Sequence, residues 1–188
     1  KNKEKSPDTR WHIFSQRVQP NIFDDKPRAG TVFVDLDEFG AYHHDFNEEY
    51  FLSWCDEFRK MNDFEVRKAE GVSGLILKED WDYIGGNDDR FAPMYWEDKD
   101  LYIRMMHEGF DFSLTSRSLL YHFASRSSRF PDDDLTKRPK HLEDIEINST
   151  REFIKKYGRV SEDDDIGMVK ILNIVDGSKT RLNQTTGE

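Results

Sequence analysis

The sequence predicts an α/β protein, and three observations carry that expectation. Short apolar or β-branched runs stand at Thr31–Val34, residues 71–77, 110–114 and 119–123. Between and after them, apolar residues recur at helical spacing, in a stretch after Asp45, over Glu97–His107 and over residues 142–157. Clusters rich in glycine, proline and acidic residues separate these runs, as connections do.

Taken in order, residues 1–10 are polar and read as a frayed end. Residues 11–18 have no clear period. Residues 21–30 hold Asp24, Asp25, Pro27 and Gly30 and read as a loop, and Thr31–Val34 reads as a short strand. Asp45 with Glu48 three positions on predicts a capping box. Phe46, Tyr50, Phe51, Trp54, Cys55 and Phe58 then form one wide apolar helix face. Residues 71–77 predict a buried strand, and residues 82–95 a loop holding Gly85, Gly86, Asn87, Asp88 and Asp89. Glu97–His107 predicts a helix closed by Gly109. Two short strands follow, with a turn at Thr115 and Ser116, then a polar loop over residues 125–134. A helix over residues 142–157 ends at Gly158, and a last strand over residues 168–175 precedes a polar tail. The chain divides into residues 1–168, one domain, and residues 169–188, its terminal strand and tail.

Composition narrows the function. The chain has 188 residues, enough for a sizeable core, and 13% of them are aromatic, which disordered chains are not. A net charge of −10 disfavours nucleic acid and anionic membrane surfaces as partners. No apolar run approaches the roughly 20 residues of a membrane span. The single cysteine, Cys55, excludes an internal disulfide framework. On its apolar helix face it reads as a packing residue, and single-cysteine usage fits a reducing, cytoplasmic compartment. The first residue is Lys1, so a piece of a longer chain is expected.

Chemistry concentrates between Trp81 and Arg129. Asp98 lies three, four and seven residues before Leu101, Tyr102 and Met105, and so shares a helix face with them. An acidic group on that side is either functional or an ordinary first-turn carboxylate favoured by the helix dipole. Asp100 and Arg104 read as an i, i+4 pair. Trp81 and Trp96 flank the Gly85–Gly86 turn and suit stacking on a sugar ring, or simply pack. His122 follows a short apolar strand and reads equally as a structural residue. Arg126 and Arg129 sit among serines and could clamp phosphate.

Together these elements resemble a family-2-type glycosyltransferase of the GT-A, Rossmann-like fold. The likeness is close over residues 71–122. It comprises the Gly74-Leu75-Ile76-Leu77 strand, Gly85-Gly86-Asn87-Asp88, Glu97-Asp98-Lys99-Asp100-Leu101, Arg104, Gly109 and Tyr121-His122. The resemblance implies transfer of a sugar from a nucleotide-sugar, a UDP-sugar foremost, to a glycan or other hydroxyl acceptor. It implies inversion, with Asp98 as general base and Glu97 supporting it. It implies His122 as a ligand to Mn²⁺ or Mg²⁺. Trp81, Gly85, Gly86, Asn87, Asp88 and Trp96 would shape the acceptor pocket, and Arg126 and Arg129 would close over the diphosphate. Asp35-Leu36-Asp37 could be the family's Asp-x-Asp metal motif, but only 34 residues precede it. The expected chain is therefore the acceptor-side portion of such a domain, with a C-terminal helical extension and the donor half on another segment. Two other readings remain. One is a non-catalytic carbohydrate-binding or interaction domain of the same ancestry. The other is a metal-dependent hydrolase using Asp35, Asp37 and a histidine from His43-His44.

Overall fold

The computed structural model describes residues 9–22, 30–62, 66–67, 72–124, 139–158, 161–163 and 169–171. Within them the protein is mixed α/β. Its centre is strand β1, Trp11–Pro20, where the sequence shows no period. The reason is chemical. His12, Phe14, Gln16 and Val18 all point to the buried side, so two polar residues interrupt the apolar half of the alternation. The structure also gives Arg10 a partner, an ion pair with the buried Asp80 at 2.9 Å, so the predicted frayed end stops short of it.

Among the described residues β1 and four other strands form one sheet. Thr31–Val34 is β2, parallel to the carboxyl half of β1, with Arg17 opposite Thr31 and Pro20 opposite Val34. Val72–Leu75 is β4, antiparallel to the amino half of the same edge. Asp111–Tyr121 is β5, parallel to β1 on its other edge, and the two-residue β3, Val66–Arg67, borders β5. Ser161–Asp163 (β6) and Val169–Ile171 (β7) pair separately, antiparallel, so β7 falls where a terminal strand is expected.

Two strand expectations need correction. The run at residues 71–77 is not a buried strand: Leu75 and Leu77 are 71% and 61% exposed at the sheet edge. The predicted turn at Thr115 and Ser116 does not break β5 in two. Ser15 pairs with Thr115 and Gln16 with Leu119, so residues 116–118 bulge while the ladder continues. The Ser15 and Ser118 hydroxyls, 2.7 Å apart, close the bulge.

The described residues include four α-helices. Helix α1, Glu48–Met61, is capped by Asn47, whose side chain accepts from the Tyr50 N–H at 3.0 Å. Asp45, the predicted cap, accepts instead from Tyr42 N–H and closes the preceding turn. Phe51 and Cys55 bury against Val18 and Phe39. Burial raises the Cys55 thiol pKa, which suits a packing residue. Helix α2, Lys78–Ile84, occupies the start of the expected loop. It is short, and its first turn is acidic, as the helix dipole favours. Helix α3, Glu97–His107, has the predicted bounds. Gly109, at φ +77°, ends it, with Gly109 N–H on Met106 C=O and Phe110 N–H on Met105 C=O. Helix α4, Lys140–Tyr157, ends at Gly158. The predicted loop over residues 125–134 lies outside the described residues.

Helix α3 is the keystone of the packing. Leu101 and Met105 bury against Phe14, Phe112 and Leu114 of the sheet. Ile103, on another side, buries against Phe153 and Tyr157 of α4. No helix among the described residues is long and apolar enough to cross a membrane.

Two predictions concern His12, which is 5% exposed, stacks on Phe14 at 4.2 Å and approaches Met105 Sδ at 3.3 Å. A methyl at Gly74 would fall 1.8 Å from its Nε2. Gly74→Ala is therefore expected to cost about 1–3 kcal/mol in urea unfolding, the usual cost of overpacking. Burial also lowers the His12 pKa to about 4, so the folded state resists its protonation. The unfolded chain binds that proton near pH 6.5, so this contribution is complete above about pH 6.5 and lost as pH falls toward 4. Unfolding midpoints measured from pH 7 to 4 are expected to fall less steeply in His12→Leu.

Candidate functional site

The predicted site residues divide between three places. The first is the amino terminus of α3 and the loop before it. Tyr95 and Trp96 both adopt left-handed backbone, at φ 73° and 70°, and turn the chain into α3. Such residues cost on the order of 1–3 kcal/mol each and need support from their surroundings. Helix α4 supplies it. Trp96 Nε1 donates to Thr150 Oγ1 at 2.8 Å, its ring lies 4.5 Å from Phe153, and Ser149 Oγ donates to Met94 C=O at 2.9 Å.

Beyond this bend the three carboxylates of α3 part company. Asp98 is exposed, and its Oδ1 accepts from the Lys99 N–H at 2.6 Å. The expectation that it joins the apolar face is thus corrected. Glu97 is half-buried, and its Oε2 has no hydrogen-bond partner among the described residues. Burial, and then the charge of Asp98, raises the Glu97 pKa above the ordinary carboxylate range. Asp100 is completely buried. It accepts from Arg104 Nε at 2.8 Å, Lys156 Nζ at 2.5 Å and the Tyr157 hydroxyl at 2.6 Å. What reads as an ordinary helical ion pair is a four-residue buried cluster.

The same cluster fixes the glycine loop. Arg104 Nη1 donates to Ile84 C=O and Nη2 to Gly86 C=O, both at 2.6 Å. Lys156 Nζ also bonds Asp88 Oδ2 at 2.7 Å, and Arg90 Nη2 bonds the same oxygen at 2.6 Å. Arg90 first, and Lys156 with it, holds the Asp88 carboxyl well below its usual range. Asn87 is exposed at the tip. Gly86 lies against Trp81, where a Cβ would come within 3.1 Å of the indole. Neither tryptophan is the exposed platform that stacking on a sugar would need. Trp81 is half-buried against the α3–sheet core, and Trp96 is half-buried under α4.

The second place is the carboxyl end of β5. His122 N–H donates to Val18 C=O at 2.8 Å, and its Nδ1 lies 2.9 Å from Gln19 Oε1. Burial, and then the charge of Arg17, lowers its pKa to about 4, so the ring is neutral at pH 7. With the Gln19 amide oxygen accepting, Nδ1 carries the hydrogen and Nε2 the lone pair. That is the tautomer a metal-binding histidine needs, held by the kind of partner that usually fixes it. The third place is the turn after β2, where Asp35 and Asp37 are exposed. Asp35, Glu38 and Trp54 line a cleft of about 470 Å³. Among the described residues no group of three or more His, Cys, Asp or Glu side chains could hold a metal ion. His43 and His44 are exposed, their rings edge to face. Arg126 and Arg129 lie outside the described residues.

Sequence reasoning missed Lys156, Tyr157 and Gln19. Lys156 had a legible signal: Leu142, Ser149, Phe153 and Lys156 all bury, at spacings of seven, four and three, which puts a lysine in line with a core stripe. Gln19 had none, because only the sheet register places it beside His122.

No known protein family, curated protein or solved structure matches the chain.

Removing one partner of a buried ion cluster leaves an uncompensated charge. Lys156→Met is expected to destabilise the protein by about 3–5 kcal/mol in urea unfolding. A loss below about 1 kcal/mol, the range of exposed pairs, would show that Arg104 and Tyr157 suffice for Asp100.

Proposed function

We propose that the chain is the acceptor-side portion of a GT-A-type glycosyltransferase. It would move a sugar from a nucleotide-sugar to a hydroxyl acceptor. The observation that carries the reading is the treatment of the Glu97–Asp98 pair. A braced bend, two left-handed residues and a buried ion cluster combine to present two adjacent carboxyl groups at one helix end. One is exposed, and the other is half-buried with an unpartnered oxygen and a raised pKa. An exposed carboxylate beside a half-buried carboxyl group offers one group to take the proton of an alcohol and a neighbour to orient it.

In this reading Asp98 takes the proton of the acceptor hydroxyl as its oxygen attacks the anomeric carbon. Glu97 orients the acceptor from its partly buried position. Gly86 and Asn87 form the acceptor wall. His122 would be the ligand to a divalent cation, which would neutralise the departing diphosphate. The likeness in residues 71–122 gives the reaction class, and the half-buried tryptophans argue against a surface glycan platform as the main binding mode.

Two measurements test this. Calorimetric titration of UDP with Mn²⁺ should show binding that His122→Ala removes. Transfer, with the donor half supplied if needed, should fall by about 10²–10⁴ in Asp98→Asn, the range for a lost general base. Unchanged turnover in that variant, with Glu97→Gln inactive instead, would reassign the base to Glu97. Glycan binding without nucleotide binding would favour the non-catalytic domain.

A further inference from the structure

The outer edge of β2 borders a cleft that the proposed reaction leaves unused. Strand β2 is the last strand on its side of the sheet, and among the described residues no strand pairs with its outer edge. In a parallel ladder, alternate residues turn both backbone groups toward the same neighbour. Gly30 C=O accepts from Arg17 N–H at 3.0 Å, and Val34 C=O accepts from Asn21 N–H at 3.1 Å, so residues 30, 32 and 34 face β1. Phe33 therefore turns its N–H and C=O outward. It also lines the cleft of about 470 Å³, together with Val32, Val34, Trp54, Asp35 and Glu38. The walls are of two kinds. Val32, Val34 and Trp54 are apolar, and Trp54 is set by stacking on Phe58 at 4.9 Å and an edge contact with Phe39 at 5.5 Å. Asp35 and Glu38 are acidic. The Tyr50 hydroxyl donates to Glu38 Oε1 at 2.7 Å, which orients that carboxylate and leaves Oε2 without a partner among the described residues. Asp35 is exposed.

An edge strand with outward backbone groups is a template for another strand, and proteins either blunt such an edge or use it. The acidic rim here repels acidic segments and complements basic ones. A lysine or arginine side chain joins an apolar stem to a cationic head, so it matches the valine–tryptophan wall and the two carboxylates together. We infer that the β2 edge docks an extended, basic segment of a partner protein. The segment's backbone pairs with Phe33, and one of its lysine or arginine side chains lies in the cleft against Asp35 and Glu38. This site is separate from the transferase reading, since it uses neither the acidic pair of α3 nor His122.

The test is fluorescence anisotropy of a fluorescein-labelled hexapeptide of alternating valine and lysine, titrated with the full chain. Wild type should bind it and leave the matching valine–glutamate peptide unbound. Asp35→Asn combined with Glu38→Gln should weaken binding about fivefold or more. Asp56→Asn combined with Glu57→Gln removes the same charge from the exposed side of α1, and should change binding by less than about twofold. A peptide N-methylated at every residue keeps its charges but cannot donate to Phe33 C=O, and should also bind about fivefold or more weakly. Matched thermal unfolding curves establish that each variant is folded. Full affinity in the Asp35 and Glu38 variant, full affinity for the N-methylated peptide, or no binding by folded wild type overturns the inference. Self-association of wild type in sedimentation velocity, without peptide binding, gives the edge to a second copy of the chain and overturns it too.

Discussion

A single buried carboxylate organises the packing around helix α3. Asp100 has no contact with solvent, so its charge must be met inside the fold. Arg104, Lys156 and Tyr157 meet it. Each of these partners brings a piece of the structure with it. Arg104 has its remaining nitrogens on the carbonyls of Ile84 and Gly86, so the end of α2 and the glycine loop follow. Lys156 has Asp88, so the far side of the loop follows. Tyr157 packs with Phe153 and Ile103, so α4 is drawn onto α3. Loss of Asp100 would therefore leave Arg104 without its carboxylate and Lys156 with Asp88 alone.

The hydrogen bonds at the bend depend on the same docking. Tyr95 and Trp96 keep left-handed backbone only while α4 holds the indole of Trp96 and the carbonyl of Met94. Those contacts come from Thr150 and Ser149, two turns before Lys156 on the same helix. A helix that reads as a C-terminal extension is thus part of the frame around Glu97 and Asp98. The sheet contributes through its register. Gln19 meets His122 because β1 and β5 run parallel with Val18 opposite Tyr121.

What was legible in the sequence follows from how local each signal is. Helix α3 was readable to the residue, because its apolar period and the glycine that ends it lie within one segment. Helices α1 and α4 were readable for the same reason. The central strand was not, because His12 and Gln16 occupy buried positions and spoil the alternation. His12 is accommodated by stacking on its neighbour Phe14 and by Met105, which lies 93 residues along the chain and outside any local window. The bulge in β5 hid a long strand behind three polar residues. Helix α2 is hard to read because it is only seven residues long and runs into Gly85, so its last turn falls in the expected loop over residues 82–95; the pair Lys78 and Asp82 is local support for it. At the site, residue types were legible and their environments were not: Asp98, Asp100 and Glu97 are equally acidic in the sequence.

Their different environments follow from helix geometry. Successive residues turn by about 100°, so Asp98 and Asp100 point about 200° apart. Asp98 lies on the side of the buried Leu101 and Met105, but in the first turn of the helix, where it is exposed. The buried Asp100 is met by Arg104 one turn after it and by Lys156 and Tyr157 on α4. No comparable set of cations faces Asp98 among its described partners, which amount to its neighbour's backbone N–H. Glu97, one step behind, is left at the margin, half-buried and with one oxygen unsatisfied. The structural carboxylate and the chemically available ones are therefore not independent features. The ion cluster ties α3 to α4 and the glycine loop, while the acidic pair stands at the start of the same helix.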